Sequence, residues 1–136
     1  MSSDELSVLK SRCTRIREQG TGVLSWSWDG YFGAALSTLK KASAEGVLAI
    51  LSESLGPPWN AETAPQDPAV ARIADDLGGL RPGQLLFYSS AAAGLALVGA
   101  WWPWGDGQTI SIRLRLVGEG DGTVSADDEL RSWLGI

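Results

Sequence analysis

The chain has 136 residues, of which 44% are hydrophobic and 20% are charged, and these values fit one globular domain over residues 1–136. Its 11 Lys and Arg residues against 16 Asp and Glu residues give a net charge of −5, which argues against nucleic-acid binding. The sequence has no histidine and one cysteine. This excludes a Ser-His-Asp or Cys-His site, an internal disulfide and a cysteine-based zinc site built from this chain alone.

The sequence predicts neither export nor membrane insertion. Its first residues are polar and acidic, unlike those of a signal peptide. The longest apolar stretch, residues 91–104, is shorter than the about 20 residues that a membrane helix needs. Together with the lack of a disulfide framework, these features favour the cytoplasm. The excess of Arg over Lys is typical of a GC-rich bacterial genome.

The first half of the chain predicts one strand among three helices. Residues 3–19 show helical spacing of apolar residues, among which Cys13 is interpreted as a small buried hydrophobe. Residues 22–28 alternate in the strand period, and residues 31–55 form the longest helical pattern, which Gly46 weakens in the middle. Asp67 followed by Pro68 predicts the start of a short helix over residues 68–77.

The second half predicts an antiparallel meander followed by a helix. The strands cover residues 84–89, 94–102 and 108–117, and the last alternates apolar residues with Arg113 and Arg115 on the other face. The glycine-rich acidic segment 118–122 predicts a solvated loop, and Ser125 caps a helix over 126–134. The expected fold is α+β, with a single four-stranded, mainly antiparallel sheet in the order α-β-α-α-β-β-β-α and helices packed on it.

The main candidate site lies in the segment from Trp101 to Gly107, which holds three of the seven tryptophans of the chain. Neighbouring residues on a strand face opposite sides, so Trp101 and Trp102 cannot enter the same core. Helices on both sheet faces would instead bury both rings and leave Trp104 partly exposed. The candidate binding residues are Trp101, Trp102, Trp104, Asp106, Arg113 and Arg115.

These features predict a small non-enzymatic module that binds another protein: an adaptor, a subunit or an immunity-type protein. A basic partner would suit the acidic charge, and the apolar strand 94–102 predicts a homodimer. We expect no cofactor, metal, nucleic acid or membrane, and no catalytic residue. The alternatives are a small-ligand-binding domain with a tryptophan-rich site and, less favoured, an enzyme that uses carboxylates alone. A flat exposed patch would favour a protein partner, and a concave pocket with convergent polar groups would favour a ligand.

Overall fold

A five-stranded antiparallel sheet is the centre of the computed structural model, which describes residues 3–91, 95–118 and 127–136. The order across the sheet is β1-β2-β5-β4-β3. The strands are β1 Ser27–Asp29, β2 Ala34–Lys40, β3 Leu85–Ala91, β4 Leu95–Pro103 and β5 Thr109–Gly118. The last three strands form the predicted meander, and the β1–β2 hairpin extends the sheet beside β5.

Three of the described helices cover one face of this sheet, which we call the inner face. They are α1 Ser3–Gln19, α2 Ala44–Leu55 and α4 Asp127–Leu134. The main core lies between these helices and the inward residues of the strands. Its fully buried side chains include Leu9, Ile16, Leu51, Phe87, Leu97, Ile112, Leu114 and Leu130.

Helix α3, Pro68–Asp76, packs on part of the opposite face, which we call the outer face. The carboxylate of Asp67 accepts hydrogen bonds from the backbone N–H groups of Ala69 (2.9 Å) and Val70 (3.2 Å), so this helix has the predicted N-cap. Its apolar side packs on Leu86 of β3 and on two residues of β4, Ala96 and Val98. The part of the outer face formed by β1 and β2 lies outside the area that this helix covers.

The α+β class is confirmed, but the prediction of four strands is wrong, because residues 34–40 form β2 instead of the first part of a helix over 31–55. The inward residues of β2 are Ala35, Ser37 and Leu39. Since alanine favours helices and Ser37 is polar, the strand period is hidden in the sequence. Pairing with β5, which aligns Ser37 with Ile112, outweighs the local preference.

The first predicted strand has the right alternation but the wrong bounds. Residues 20–24 form a turn, in which the N–H of Leu24 donates to the carbonyl of Gly20 at 2.8 Å, and β1 starts only at Ser27. The helices predicted over 3–19, 68–77 and 126–134 correspond to α1, α3 and α4. The expected acidic loop, from residue 119 onward, and the Ser125 cap lie outside the described residues.

A short backbone bridge outside the named strands lies along β3. Trp59 and Leu86 exchange two backbone hydrogen bonds, of 2.7 and 2.8 Å, in antiparallel orientation. Trp59 follows two prolines and precedes the 3₁₀ helix Ala64–Gln66. The segment therefore attaches the connection between α2 and α3 to the edge strand β3.

Candidate functional site

The structure separates the three tryptophans of the candidate segment. Trp101 is buried in the inner core with 4% exposure. Trp102 is half-buried on the outer face, where it pairs with Ser111. Trp104, in the turn between β4 and β5, is 51% exposed. These tryptophans therefore form no single flat patch, as the alternation along β4 requires.

Trp101 and Trp104 border an open hollow of about 330 Å³, which we call the tryptophan hollow. Its rim includes Lys41 and Gln108, and most of its lining is apolar. Asp106 holds the adjoining turn, because its carboxylate accepts hydrogen bonds from the N–H of Gln108 at 2.8 Å and from the hydroxyl of Thr109 at 2.8 Å. These hydrogen bonds, that of Gln108 foremost, lower the pKa of the Asp106 carboxyl. The carboxylate of Asp106 therefore stabilises the turn through these hydrogen bonds.

Arg113 and Arg115 meet in a different place, a cavity of about 80 Å³ on the outer face that we call the arginine cleft. Both arginines project from the outer side of β5, two residues apart. The cleft lies between α3 and the β1–β2 turn, above the strands β4 and β5. Its other lining residues are Phe32, Ile73, Asp76, Leu77, Val98, Ala100 and Val117.

Arg113 is held in place by residues of the β1–β2 hairpin. Its Nε donates to a carboxylate oxygen of Asp29 at 3.4 Å, and its guanidinium lies 4.7 Å from the centre of the Phe32 ring. The other oxygen of Asp29 accepts the N–H groups of Tyr31 at 3.1 Å and Phe32 at 3.3 Å. Asp29 therefore fixes both the β1–β2 turn and the position of Arg113.

Arg115 has no such partner among the residues that the structure describes. Its Nε is buried and has no hydrogen-bond acceptor within that part of the chain. The ion pairs among the described residues join Arg15 to Glu53 and Arg113 to Asp29, and neither involves Arg115. A buried donor without an acceptor costs about 1–3 kcal/mol. The cleft thus contains a cationic side chain that is ready to accept an anion.

The remaining reactive groups of the described residues give no second chemical site. Cys13 is fully buried in the inner core, and this burial raises the pKa of its thiol to about 12, as expected for a structural cysteine. Across residues 3–91, 95–118 and 127–136, no three His, Cys, Asp or Glu side chains come together as a metal site would require. In the same ranges, no helix has the length and apolar character needed to cross a membrane.

A comparison with known protein families, curated proteins and solved structures found no match for this chain. The site must therefore be interpreted from its own residues. Sequence reasoning identified both arginines but missed Phe32 and Asp76, which lie 81 and 39 residues away from Arg113 and Arg115 respectively. The alternation of β5 was the signal for the arginines. No local pattern indicates which loop and which helix lie against that strand.

Proposed function

We propose that this chain is a non-enzymatic binding protein that holds the carboxylate of a small organic acid in the arginine cleft. The observation that carries the proposal is Arg115, whose buried Nε has no acceptor among the described residues and lies in a cavity lined mostly by apolar side chains. A concave site with convergent polar groups on an apolar floor is the usual form of a small-ligand site.

A carboxylate suits this site because a guanidinium offers it two parallel hydrogen bonds. Arg113 adds positive potential beside Arg115. Its own charge is already paired with the carboxylate of Asp29, so it does not require a contact with the ligand. Val98 and Ala100 form an apolar floor that fits a hydrocarbon tail. The net charge of −5 does not prevent this binding, because exposed charges beyond about 8 Å are screened at physiological salt.

Calorimetric titration with 4-methylpentanoate, a small apolar carboxylate, tests the proposal. Arg115→Gln should weaken binding about tenfold or more, since hydrogen bonds to a charged group contribute about 1.5–3 kcal/mol. Arg81→Gln is the matched control, because Arg81 is exposed in the turn before β3 and does not line the cleft. Circular dichroism should show both variants folded, and the affinity of the control should equal that of the wild type.

Two results would contradict this function. One is the absence of any heat of binding at millimolar ligand. The other is that Arg115→Gln binds the ligand as tightly as the wild type does. The same holds for Arg115→Met, a second variant that keeps the side-chain bulk. Binding should also weaken as salt is added, because it depends on charge.

A protein partner is the second candidate function, and the β1–β2 turn favours it. Tyr31 is 89% exposed and Phe32 48% exposed, and their rings meet edge to face with centroids 4.8 Å apart. Exposed aromatic residues are enriched in protein interfaces. Affinity capture with the wild type and with Tyr31→Ser as baits tests this candidate. A protein retained by the wild type and by Arg115→Gln, but lost with Tyr31→Ser, would support it.

The expected homodimer stays a prediction, but part of the surface assigned to it is covered. Ala96 and Val98 of β4 are buried by α3 of the same chain, with 0% and 2% exposure. A second copy could reach Trp102 beyond this helix. An enzyme that uses carboxylates alone gains no support from the arginine cleft, where Asp76 is the one carboxylate among the lining residues.

A further inference from the structure

Two side chains of opposite charge line the arginine cleft without contacting each other. Arg115 reaches it from β5, and Asp76 reaches it from α3 on the other side. No ion pair joins them, which places the guanidinium nitrogens and the carboxylate oxygens more than 4.0 Å apart. Among the described residues, Asp76 has no hydrogen-bond or ion-pair partner for its side chain, so both charges are available to a ligand.

We propose that the ligand is a zwitterion, a small amino acid with an aliphatic side chain. Its carboxylate binds Arg115 and its ammonium group binds Asp76. This inference rests on the proposed function, since it uses the same carboxylate site, and it adds a second charged group and a side chain to the ligand.

The position of Asp76 favours an ammonium group over a second anion. Asp76 is the last residue of α3, and the C-terminal end of a helix carries a partial negative charge that attracts cations. A simple monocarboxylate on Arg115 would leave the Asp76 carboxylate without a positive partner and would be repelled by its negative charge. A zwitterion satisfies Arg115 and Asp76 together.

The size and lining of the cleft point to an aliphatic side chain. The cavity of about 80 Å³ is smaller than the roughly 150 Å³ cavity that takes up benzene in an engineered protein. Val98 and Ala100 lie at its floor, and Leu77 and Phe32 lie at its sides. A branched aliphatic group fills such a space, while the carboxylate and the ammonium group, which share one carbon, face Arg115 and Asp76.

Three matched ligands separate the contributions of the two charges. L-leucine carries both, 4-methylpentanoate lacks the ammonium group, and 3-methylbutylamine lacks the carboxylate. Calorimetry with the wild type should give the highest affinity for L-leucine, about tenfold above the acid, and the lowest for the amine. Arg115→Gln should weaken the binding of both L-leucine and the acid.

Substitution of Asp76 decides the inference. Asp76→Asn should weaken L-leucine binding about tenfold and should leave or raise the affinity for 4-methylpentanoate. Asp75→Asn is the control, because Asp75 is the neighbouring exposed carboxylate of α3 and does not line the cleft. This control should bind L-leucine as the wild type does.

The possible failures are distinguishable. If 4-methylpentanoate binds as tightly as L-leucine, and Asp76→Asn tightens both, then the ligand is a simple monocarboxylate; the zwitterion inference is wrong and the proposed function stands. If neither compound binds at millimolar concentration, the proposed function itself is wrong. If Asp76→Asn and Asp75→Asn weaken L-leucine binding equally, Asp76 acts only through the general field of α3, and the direct contact is refuted.

Discussion

Replacing each of two adjacent tryptophans by alanine should give very different losses of stability. Trp101 and Trp102 are chemically identical neighbours on β4, but Trp101 points into the inner core and Trp102 points to the outer face. The pair therefore provides its own control, since the substitution and the local backbone are the same. The difference between the two losses measures which face of the strand is buried.

Trp101→Ala should cost about 3 kcal/mol of unfolding free energy, the lower end of the range for removing a large core side chain. The lower end applies because Trp101 borders the tryptophan hollow, so that water can enter the space the indole leaves. Trp102 is half-buried, and half of the about 1.5–3 kcal/mol for burying a large apolar side chain gives a loss of about 1 kcal/mol. Since such domains are stable by about 5–15 kcal/mol, only the first loss is a large share of the total.

Urea unfolding followed by far-UV circular dichroism measures both losses, because this signal comes mainly from the backbone and not from the tryptophans that are removed. A loss for Trp102→Ala equal to or above that for Trp101→Ala would refute the assignment of the two faces, if light scattering shows a monomer of 14.4 kDa. The same result in a dimer that Trp102→Ala dissociates would confirm the expected homodimer and place its interface on the outer face.

Four further substitutions test other parts of the structure. Ile112→Asp should unfold the protein, because it puts an unpaired carboxylate into the inner core, whereas Arg113→Ala should change the unfolding free energy by less than about 1 kcal/mol; chemical denaturation of both variants checks the register of β5. Asp67→Ala should cost about 1 kcal/mol through the lost N-cap of α3, and a melting temperature unchanged from the wild type would contradict this. The raised pKa of Cys13 means that the folded state keeps the thiol proton more tightly than the unfolded state, so stability is full below pH 9 and falls as the pH rises toward 12. By pH 10 the unfolding free energy should be about 1.4 kcal/mol lower, because the thiol pKa rises from 9.0 to about 12 on folding. In Cys13→Ala the unfolding free energy should fall less steeply with pH than in the wild type. Equal slopes for the two proteins would refute the burial of an un-ionised thiol.

Elements with a strong local signal were predictable from the sequence. Helix α1 has a regular apolar stripe, and β5 alternates over residues 109–116, so both were recognised. The strand β2 was not recognised, because its identity as a strand depends on β5, which follows about 70 residues later in the chain. Gly33, with a φ of +61° in the turn before β2, is the local mark of the hairpin that the helical interpretation overlooked.

The candidate site was predictable only as single residues. The face of β5 that carries Arg113 and Arg115 follows from alternation alone. The difference between the two arginines does not follow from the alternation. Within the described part of the chain, Arg113 has a carboxylate partner and Arg115 has none, because the β1–β2 turn brings Asp29 to Arg113 and not to Arg115. That difference depends on the strand order, which a single sequence with a misread strand could not supply.

The backbone bridge between Trp59 and Leu86 bears on how copies of this chain avoid joining their sheets. A sheet ends in two strands whose outer N–H and C=O groups can recruit a strand from another molecule. On the β3 side, the segment with Trp59 already occupies the groups of Leu86, and Pro57 and Pro58 before it have no N–H to donate. On the other side, the outer strand β1 has only 3 residues, too few for a long ladder. Both borders of the sheet are thereby protected against β-addition and the aggregation that follows from it.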